Sequence, residues 1–277
     1  MIAGAGARRL AMRARPRSAR RAWAALCLGL ALAGRAALAC EADPFSRPQA
    51  VEGSRVENGG AAAAYENLTS RYAHGVLGDA LEPETLRFWT PELSLRCGES
   101  ITLDPLHVFE DIAPRLADLD GDDALEVITV RSHRSKGAQI AVYGLQNNHL
   151  KLIAETPYIG RRNRWLAPIG AADLDGDGHV EIAYIDRPHL AKTLRIWRFR
   201  DGALTEVASQ PGLTNHRIGE DFITSGIRDC GEGPELVTVS GDWQRIIGSR
   251  LQDGRIASRD LGPFRPEARL QDVLACR

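Results

Sequence analysis

The sequence predicts an all-β fold, a row of repeated four-stranded units that follows an N-terminal export signal. Two segments, 116–122 and 171–177, carry nearly the same acidic sequence 55 residues apart. Each is followed by a short β-branched run, an alternating strand and a further strand. A weaker third copy starts at Ile227, 54 residues after Asp173. Four short strands per unit at this period are typical of a β-propeller blade.

The repeats divide the chain into blades and flanking segments. We predict a signal peptide at 1–39, a flexible segment at 40–70 and a propeller domain at 71–277. The expected blades lie near 71–108, 109–163, 164–217 and 218–265, and the length also allows a fifth blade completed by the termini. A β-sandwich with two acidic turns is the alternative fold, but it does not explain the repeat.

Residues 1–39 have the composition of an export signal. They contain eight Arg and no Lys, Asp or Glu. A short apolar run at 23–33 and the small residues at 37–39 follow the basic part. This order predicts a secretory signal peptide cleaved after Ala39, and a secreted or periplasmic protein. No apolar run in the sequence reaches the roughly 18 residues of a membrane-spanning helix.

The cysteines that remain after cleavage predict disulfides. They are Cys40, Cys97, Cys230 and Cys276. An even number in an oxidising compartment favours two disulfides. Three pairings are open, of which Cys40–Cys97 with Cys230–Cys276 is the most local. Lipid anchoring at Cys40 is the less favoured alternative, because Ala37 stands where such signals usually carry Leu.

Charge excludes one class of partner. The whole chain has 35 basic and 36 acidic residues. Without the eight arginines of 1–39, the balance is 27 basic to 36 acidic, a net charge of −9. An acidic mature protein is a poor partner for the phosphate backbone, so no nucleic acid is expected.

The two acidic segments predict metal sites. In the first, three aspartates alternate in a tight loop, Ala124 can offer its carbonyl, and Glu126 follows from the next strand. The predicted ligands are Asp118, Asp120, Asp122, Ala124 and Glu126 in one loop and Asp173, Asp175, Asp177, His179 and Glu181 in the other. Hard cations such as calcium take six to eight oxygen ligands, so we predict two calcium sites.

The third copy lacks this donor set. Ile227 replaces the first aspartate and Gly231 the third, while Asp229 and Glu235 remain. We therefore predict no metal there, and a disulfide at Cys230 that braces the loop instead.

The sequence Asp-Leu-Asp-Gly-Asp-Gly followed by Val-Glu-Ile, at 173–182, resembles the FG-GAP or VCBS-type repeat, whose family includes the integrin α-subunit propellers. The resemblance covers roughly residues 108–262. It implies calcium that stiffens the loop between two strands of a blade, and it implies no reaction. Glu126 and Glu181 stand where that family often has Asp.

A second set of residues predicts a ligand-binding face. Polar and aromatic residues recur at similar points of successive blades: Arg164, Trp165, Arg187, His189, His216 and Trp243. Their chemistry suits an anionic or sugar-like ligand, although ordinary loops explain them as well.

Two functional classes follow. The first is an exported, calcium-stabilised binding or structural module whose partner is a protein or a glycan. The second is a periplasmic hydrolase or lyase acting on a sugar-like substrate, which requires His189, His216 and Asp186 to converge. The sequence contains none of the familiar catalytic motifs, so the first class is favoured.

Overall fold

The computed structural model describes residues 44–91, 93, 97–265 and 268–277. The predicted signal peptide at 1–39 and Cys40 lie outside these residues. No helix among them is long and apolar enough to cross a membrane.

The described chain forms eighteen strands in four antiparallel sheets, followed by one short helix. The first sheet contains β1 (Val56–Asn58), β2 (Ala61–Thr69), β3 (Glu82–Trp89) and β4 (Glu99–Thr102). The second contains β5 (His107–Phe109), β6 (Arg115–Ala117), β7 (Glu126–His133), β8 (Gly137–Gln146) and β9 (His149–Glu155). The third contains β10 (Leu166–Ala172), β11 (Glu181–Asp186), β12 (Thr193–Arg200) and β13 (Ala203–Pro211). The fourth contains β14 (Leu213–Thr214), β15 (Gly226–Asp229), β16 (Pro234–Ser240), β17 (Arg245–Gln252) and β18 (Arg255–Pro263), and α1 (Ala268–Leu274) follows.

Each sheet is an up-and-down meander, and each corresponds to one blade. In the second and fourth sheets two short strands share the first position: β5 and β6 pair with opposite ends of β7, and β14 and β15 do the same with β16. Asp253 and Gly254 both have positive φ and form a two-residue hairpin turn, for which the Asp-Gly pair is a strong sequence signal. The all-β, propeller-like prediction is confirmed.

The first blade begins earlier than the sequence analysis places it. The prediction of a flexible segment at 40–70 is wrong for residues 56–69, which form β1 and β2. The alanines of 61–64 suggest a linker by composition, but all four are buried. Their small side chains let β2 pack on both faces, against the second sheet on one side and Phe45 on the other. The first blade therefore spans 56–102 rather than 71–108.

Neighbouring sheets pack face to face through apolar side chains. Tyr65 of the first sheet stacks on Phe109 of the second, with ring centroids 5.1 Å apart. Ile140 of the second sheet lies in one cluster with Ile182 of the third, and Ile196 of the third lies with Leu236 of the fourth. Each blade thus buries its faces against its neighbours, as a repeat array requires.

The outer faces of the first and fourth sheets are covered by the ends of the described chain. Phe45 packs on Ala62 and Ala64 of the first sheet. On the fourth sheet, Leu270 and Val273 of α1 pack against β16 and β17. These two covers act as caps, which terminal repeats need because they lack a neighbour on one side.

A disulfide fastens the cap of the fourth sheet. Cys276, just after α1, is bonded to Cys230 in the turn between β15 and β16, which belongs to the most local of the pairings that the sequence leaves open. Cys97 is disulfide-bonded as well. The pairing of Cys97 with Cys40 stays a prediction, because Cys40 lies outside the described residues.

We expect replacement of Cys230 and Cys276 by serine to lower the free energy of unfolding by about 2–4 kcal/mol. The bond closes a 46-residue separation and holds α1 on its sheet. Urea unfolding followed by circular dichroism measures the change. The wild-type protein under reducing conditions is the control and should lose at least as much, because reduction also opens the bond at Cys97. An unchanged midpoint in the double variant would contradict a stabilising role for this bond.

Candidate metal centre

The two predicted acidic loops occupy equivalent places in neighbouring blades. One joins β6 to β7 and the other joins β10 to β11, so each connects the first strand of its sheet to the next. Gly121 and Gly176 adopt φ values of 80° and 77° at the same point of the two loops. That left-handed conformation favours glycine and bends the chain back on itself, which turns the aspartates on either side inward.

In the first loop the carboxylates organise the backbone. Asp118 accepts hydrogen bonds from the amides of Gly121 and Asp123, at 2.7 and 3.1 Å. At the end of the loop, the amide of Ala124 donates to Asp122 at 2.8 Å. Glu126, the first residue of β7, accepts from the amide of Leu119 at 2.9 Å. These bonds hold four carboxylates around one short turn.

Among the described residues, no basic side chain compensates the charge of the first loop. Carboxylate oxygens of Asp118, Asp120 and Asp122 lie within 4.8 Å of one another. In the part of the chain that the structure describes, neither these three aspartates nor Glu126 forms an ion pair with a basic side chain. Desolvation, reinforced by the charges of Asp120 and Asp122, raises the pKa of Glu126 to about 7. Burial and its acidic neighbours raise the pKa of Asp120 as well. This donor set consists of oxygen ligands and fits a hard divalent cation.

A cavity of about 670 Å³ opens beside this loop. The cavity is lined by Asp120, Asp122 and Glu126 of this loop and by Gly144 of β8. Since Val127 pairs with Tyr143 in the antiparallel sheet, Gly144 lies opposite Glu126. A Cβ at Gly144 would lie only 3.6 Å from the Glu126 carboxylate. Thr90, also in the lining, has a buried hydroxyl without a hydrogen-bond partner among the described residues. The missing side chain at position 144 leaves room next to the buried glutamate.

The second loop has the same turn but a different charge balance. Asp173 accepts from the amides of Gly176 and Gly178 at 2.8 and 3.0 Å, and Glu181 accepts from Leu174 at 2.8 Å. Arg198 of β12 then donates from Nε to Glu181 at 2.5 Å. Burial raises the pKa of Glu181, and the hydrogen bond from the Arg198 guanidinium opposes that rise.

Arg198 also reaches the aspartates of the second loop. Its Nη2 donates to Asp175 at 2.6 Å, and its Nη1 lies 2.8 Å from a carboxylate oxygen of Asp177. One guanidinium therefore contacts three of the four predicted side-chain ligands. His179, predicted to offer its carbonyl, lies at the end of the loop, where its amide donates to Asp177 at 3.0 Å.

The fourth blade keeps two carboxylates of the donor set, of which Glu235 is buried and Asp229 is exposed. Glu235, the counterpart of Glu126, accepts from Arg228 and Arg259, each through Nε at 2.7 Å, and Arg250 lies 3.6 Å away. Burial raises the pKa of Glu235, but these arginines outweigh it and lower the pKa overall. The disulfide at Cys230 braces this turn, as the sequence analysis predicts.

The predicted ligand face is assembled in part, at the opposite end of the strands. Arg164, Trp165, Arg187 and His189 line one cavity of about 220 Å³. His216 lies just behind it, with its Nδ1 3.0 Å from His189 Nε2. Trp243 does not line this cavity, because it packs against Phe264 and under the guanidinium of Arg217.

The three residues that the enzyme alternative requires do not form one unit. His216 Nε2 donates to the carbonyl of Glu220, so its Nδ1 accepts from His189 when both rings are neutral. Burial lowers the pKa of both histidines, that of His189 to about 4. Both carboxylate oxygens of Asp186 accept from Arg187, and one of them also accepts from Arg195, rather than from either imidazole.

Sequence reasoning found the carboxylates of the loops but missed Arg198 and Gly144. Both lie on the third strand of their sheets, far along the chain from the loops they affect. Arginines at 195, 198 and 200 give this strand three cationic side chains, but only the pairing of Glu181 with Arg198 shows which of them meets the loop.

The comparisons agree with the fold and the loops. Residues 118–184 match the family model of the FG-GAP-like repeat, from the first acidic loop into the strand after the second. No curated protein matches the chain. The chain therefore carries an FG-GAP-type repeat, as its sequence predicts.

Proposed function

We propose that this protein is an exported, calcium-stabilised module that binds a protein or a glycan outside the cytoplasm. The observation that supports the calcium part is the first loop. Carboxylate oxygens of Asp118, Asp120 and Asp122 lie within 4.8 Å of one another, and Glu126 binds the backbone of the same loop, with no cationic side chain paired to them among the described residues. Like charges held this closely favour either protonation or a bound cation. Oxygen-only donors favour calcium over zinc, which prefers nitrogen and sulfur.

Calcium at this position has a structural role in the proposal. The loop joins β6 to β7, and Glu126 at the start of β7 already binds the backbone of the loop. An ion shared by the loop aspartates and Glu126 ties the first strand of the second blade to the next strand. It also offsets the burial and the aspartate charges that raise the pKa of Glu126.

Export and binding rest on separate observations. The Cys230–Cys276 disulfide suits an oxidising compartment and supports the predicted secreted or periplasmic location. For binding, the cavity lined by Trp165, His189, Arg164 and Arg187 combines an aromatic surface with hydrogen-bonding and cationic groups. This is the composition of a site that takes a polar ligand or a side chain of a partner.

We expect calcium to stabilise the wild-type protein and not Asp118→Asn. With an affinity of about 10⁻⁴–10⁻³ M, as in extracellular modules, calcium at about 10 mM adds about 1.4–2.7 kcal/mol to the free energy of unfolding. Urea unfolding with calcium and with a chelator measures this gain. Asp118→Asn keeps an oxygen for the amide of Gly121 but loses a charged ligand, so its gain should be largely lost.

Asp201→Asn is the matched control. Asp201 is an exposed carboxylate in the turn between β12 and β13, at the same end of the strands as the acidic loops. Among the described residues it pairs with Arg200 alone. This variant should keep the full calcium gain. Equal stability of the wild-type protein with calcium and with chelator would refute the calcium part of the proposal.

We expect the metal-free protein to lose stability as the pH rises from about 4.5 to 7. The pKa of Glu126 rises from its ordinary 4.5 to about 7 in the folded state, so the folded state holds this proton more tightly than the unfolded state. The stabilisation is complete below pH 4.5 and is lost as the pH passes 7, a difference of at most about 3 kcal/mol.

Glu126→Gln removes this dependence, because the amide does not ionise and its oxygen can still accept from Leu119. Chelator-treated Glu126→Gln should therefore be more stable than the wild-type protein at pH 7.5 and nearly equal to it at pH 4.5. Asp123→Asn, which changes an exposed residue of the same loop, is the control. The same pH profile in wild-type protein and Glu126→Gln would contradict the assignment.

A further inference from the structure

The strand position opposite the buried glutamate differs in each of the last three blades. Glu126 faces Gly144 in the second blade. Glu181 pairs with Arg198 in the third. In the fourth, Leu236 pairs with Ser249, so Glu235 stands opposite Arg250. The four predicted side-chain ligands have the same spacing in the loops of the second and third blades, although Gly178 stands where the first loop has Asp123. The facing residue is the difference that brings a positive charge to one of the two loops.

We propose that Arg198 acts as a built-in counter-ion that takes the place of a metal in the second loop, so that the chain binds one calcium ion rather than two. This inference rests on the proposed calcium binding at the first loop. It replaces the expectation of two equivalent sites, although carboxylate oxygens of Asp173, Asp175 and Glu181 also lie within 4.8 Å of one another.

The contacts of Arg198 place its charge where a metal would lie. Its guanidinium donates to Glu181 at 2.5 Å and to Asp175 at 2.6 Å, and a third nitrogen lies 2.8 Å from Asp177. The side chain of Glu181 is fully buried, so this pair is shielded from water on one side. A guanidinium offers several fixed donors and is permanently charged, which suits it to bind several carboxylates at once.

Calcium and Arg198 exclude each other at this loop for two reasons. The oxygens that would coordinate the ion already accept hydrogen bonds from the guanidinium. A divalent ion in the same cluster would also lie a few ångström from a positive charge that the strand pairing holds in place. In the first loop neither obstacle exists, because Gly144 has no side chain.

An exposed arginine on an acidic loop would not act as such a counter-ion, because surface ion pairs contribute little to the free energy of folding. Arg198 differs from that case in its number of partners and in the burial of Glu181. Arg195 provides the comparison on the same strand. It also binds two carboxylates, Asp186 and Glu206, but it lies away from both acidic loops.

Isothermal titration with calcium chloride tests the proposal through the number of ions bound per folded chain. The wild-type protein should bind one ion. Arg198→Gln leaves four carboxylates uncompensated in the second loop and should bind two, while Arg195→Gln should still bind one. Two ions in the wild-type protein, or the same number in the wild-type protein and Arg198→Gln, would overturn the inference.

A second measurement does not depend on the folding of the arginine variant. Asp118→Asn combined with Asp120→Asn removes the first loop as a site and leaves Arg198 in place. This variant should bind no calcium, and one remaining ion would overturn the inference.

If the wild-type protein binds none at all, the proposed function fails, and a gain of one ion in Arg198→Gln would still support the role of the arginine. Circular dichroism confirms that each variant is folded.

Discussion

The organisation of each acidic blade depends on one buried carboxylate at the start of its second strand. Glu126 and Glu181 accept a hydrogen bond from the backbone of the preceding loop, at Leu119 and Leu174, and so fix the loop to the strand. Burial of an ionised group is costly unless it is neutralised. The loop can therefore be ordered only if a proton, an ion or another side chain balances that charge.

The second, third and fourth blades balance the charge of their buried glutamate in different ways. In the second blade the balancing charge is absent from the described residues, and the pKa of Glu126 is raised. In the third, Arg198 supplies it. In the fourth, Arg228 and Arg259 bind Glu235, and the loop has lost two aspartates. The fourth blade thus balances its buried glutamate without the two aspartates that the other loops carry, whereas the third blade keeps all four carboxylates beside Arg198.

The parts of this fold that are local in sequence were predictable, and those that depend on strand pairing were not. The loops, the glutamates and the Asp253–Gly254 turn lie within a few residues of their partners, so spacing alone identifies them. The alanines of 61–64 were misread because composition does not reveal that small side chains let two layers pack on one strand. Arg198 was missed for a related reason, since it reaches the loop across a sheet from 17 residues beyond Glu181.

In a row of blades, the effect of one ion extends to its neighbours. Most of the apolar packing lies between successive sheets, so the stability of the array is approximately a sum of blade terms and interface terms. The second blade lies between the first and the third, and Tyr143 of β8 packs in the cluster that joins it to the first sheet. The fourth blade, at the far end, is held by α1 and the Cys230–Cys276 disulfide. A single calcium ion in the second blade would therefore stabilise the half of the array that this cap does not reach.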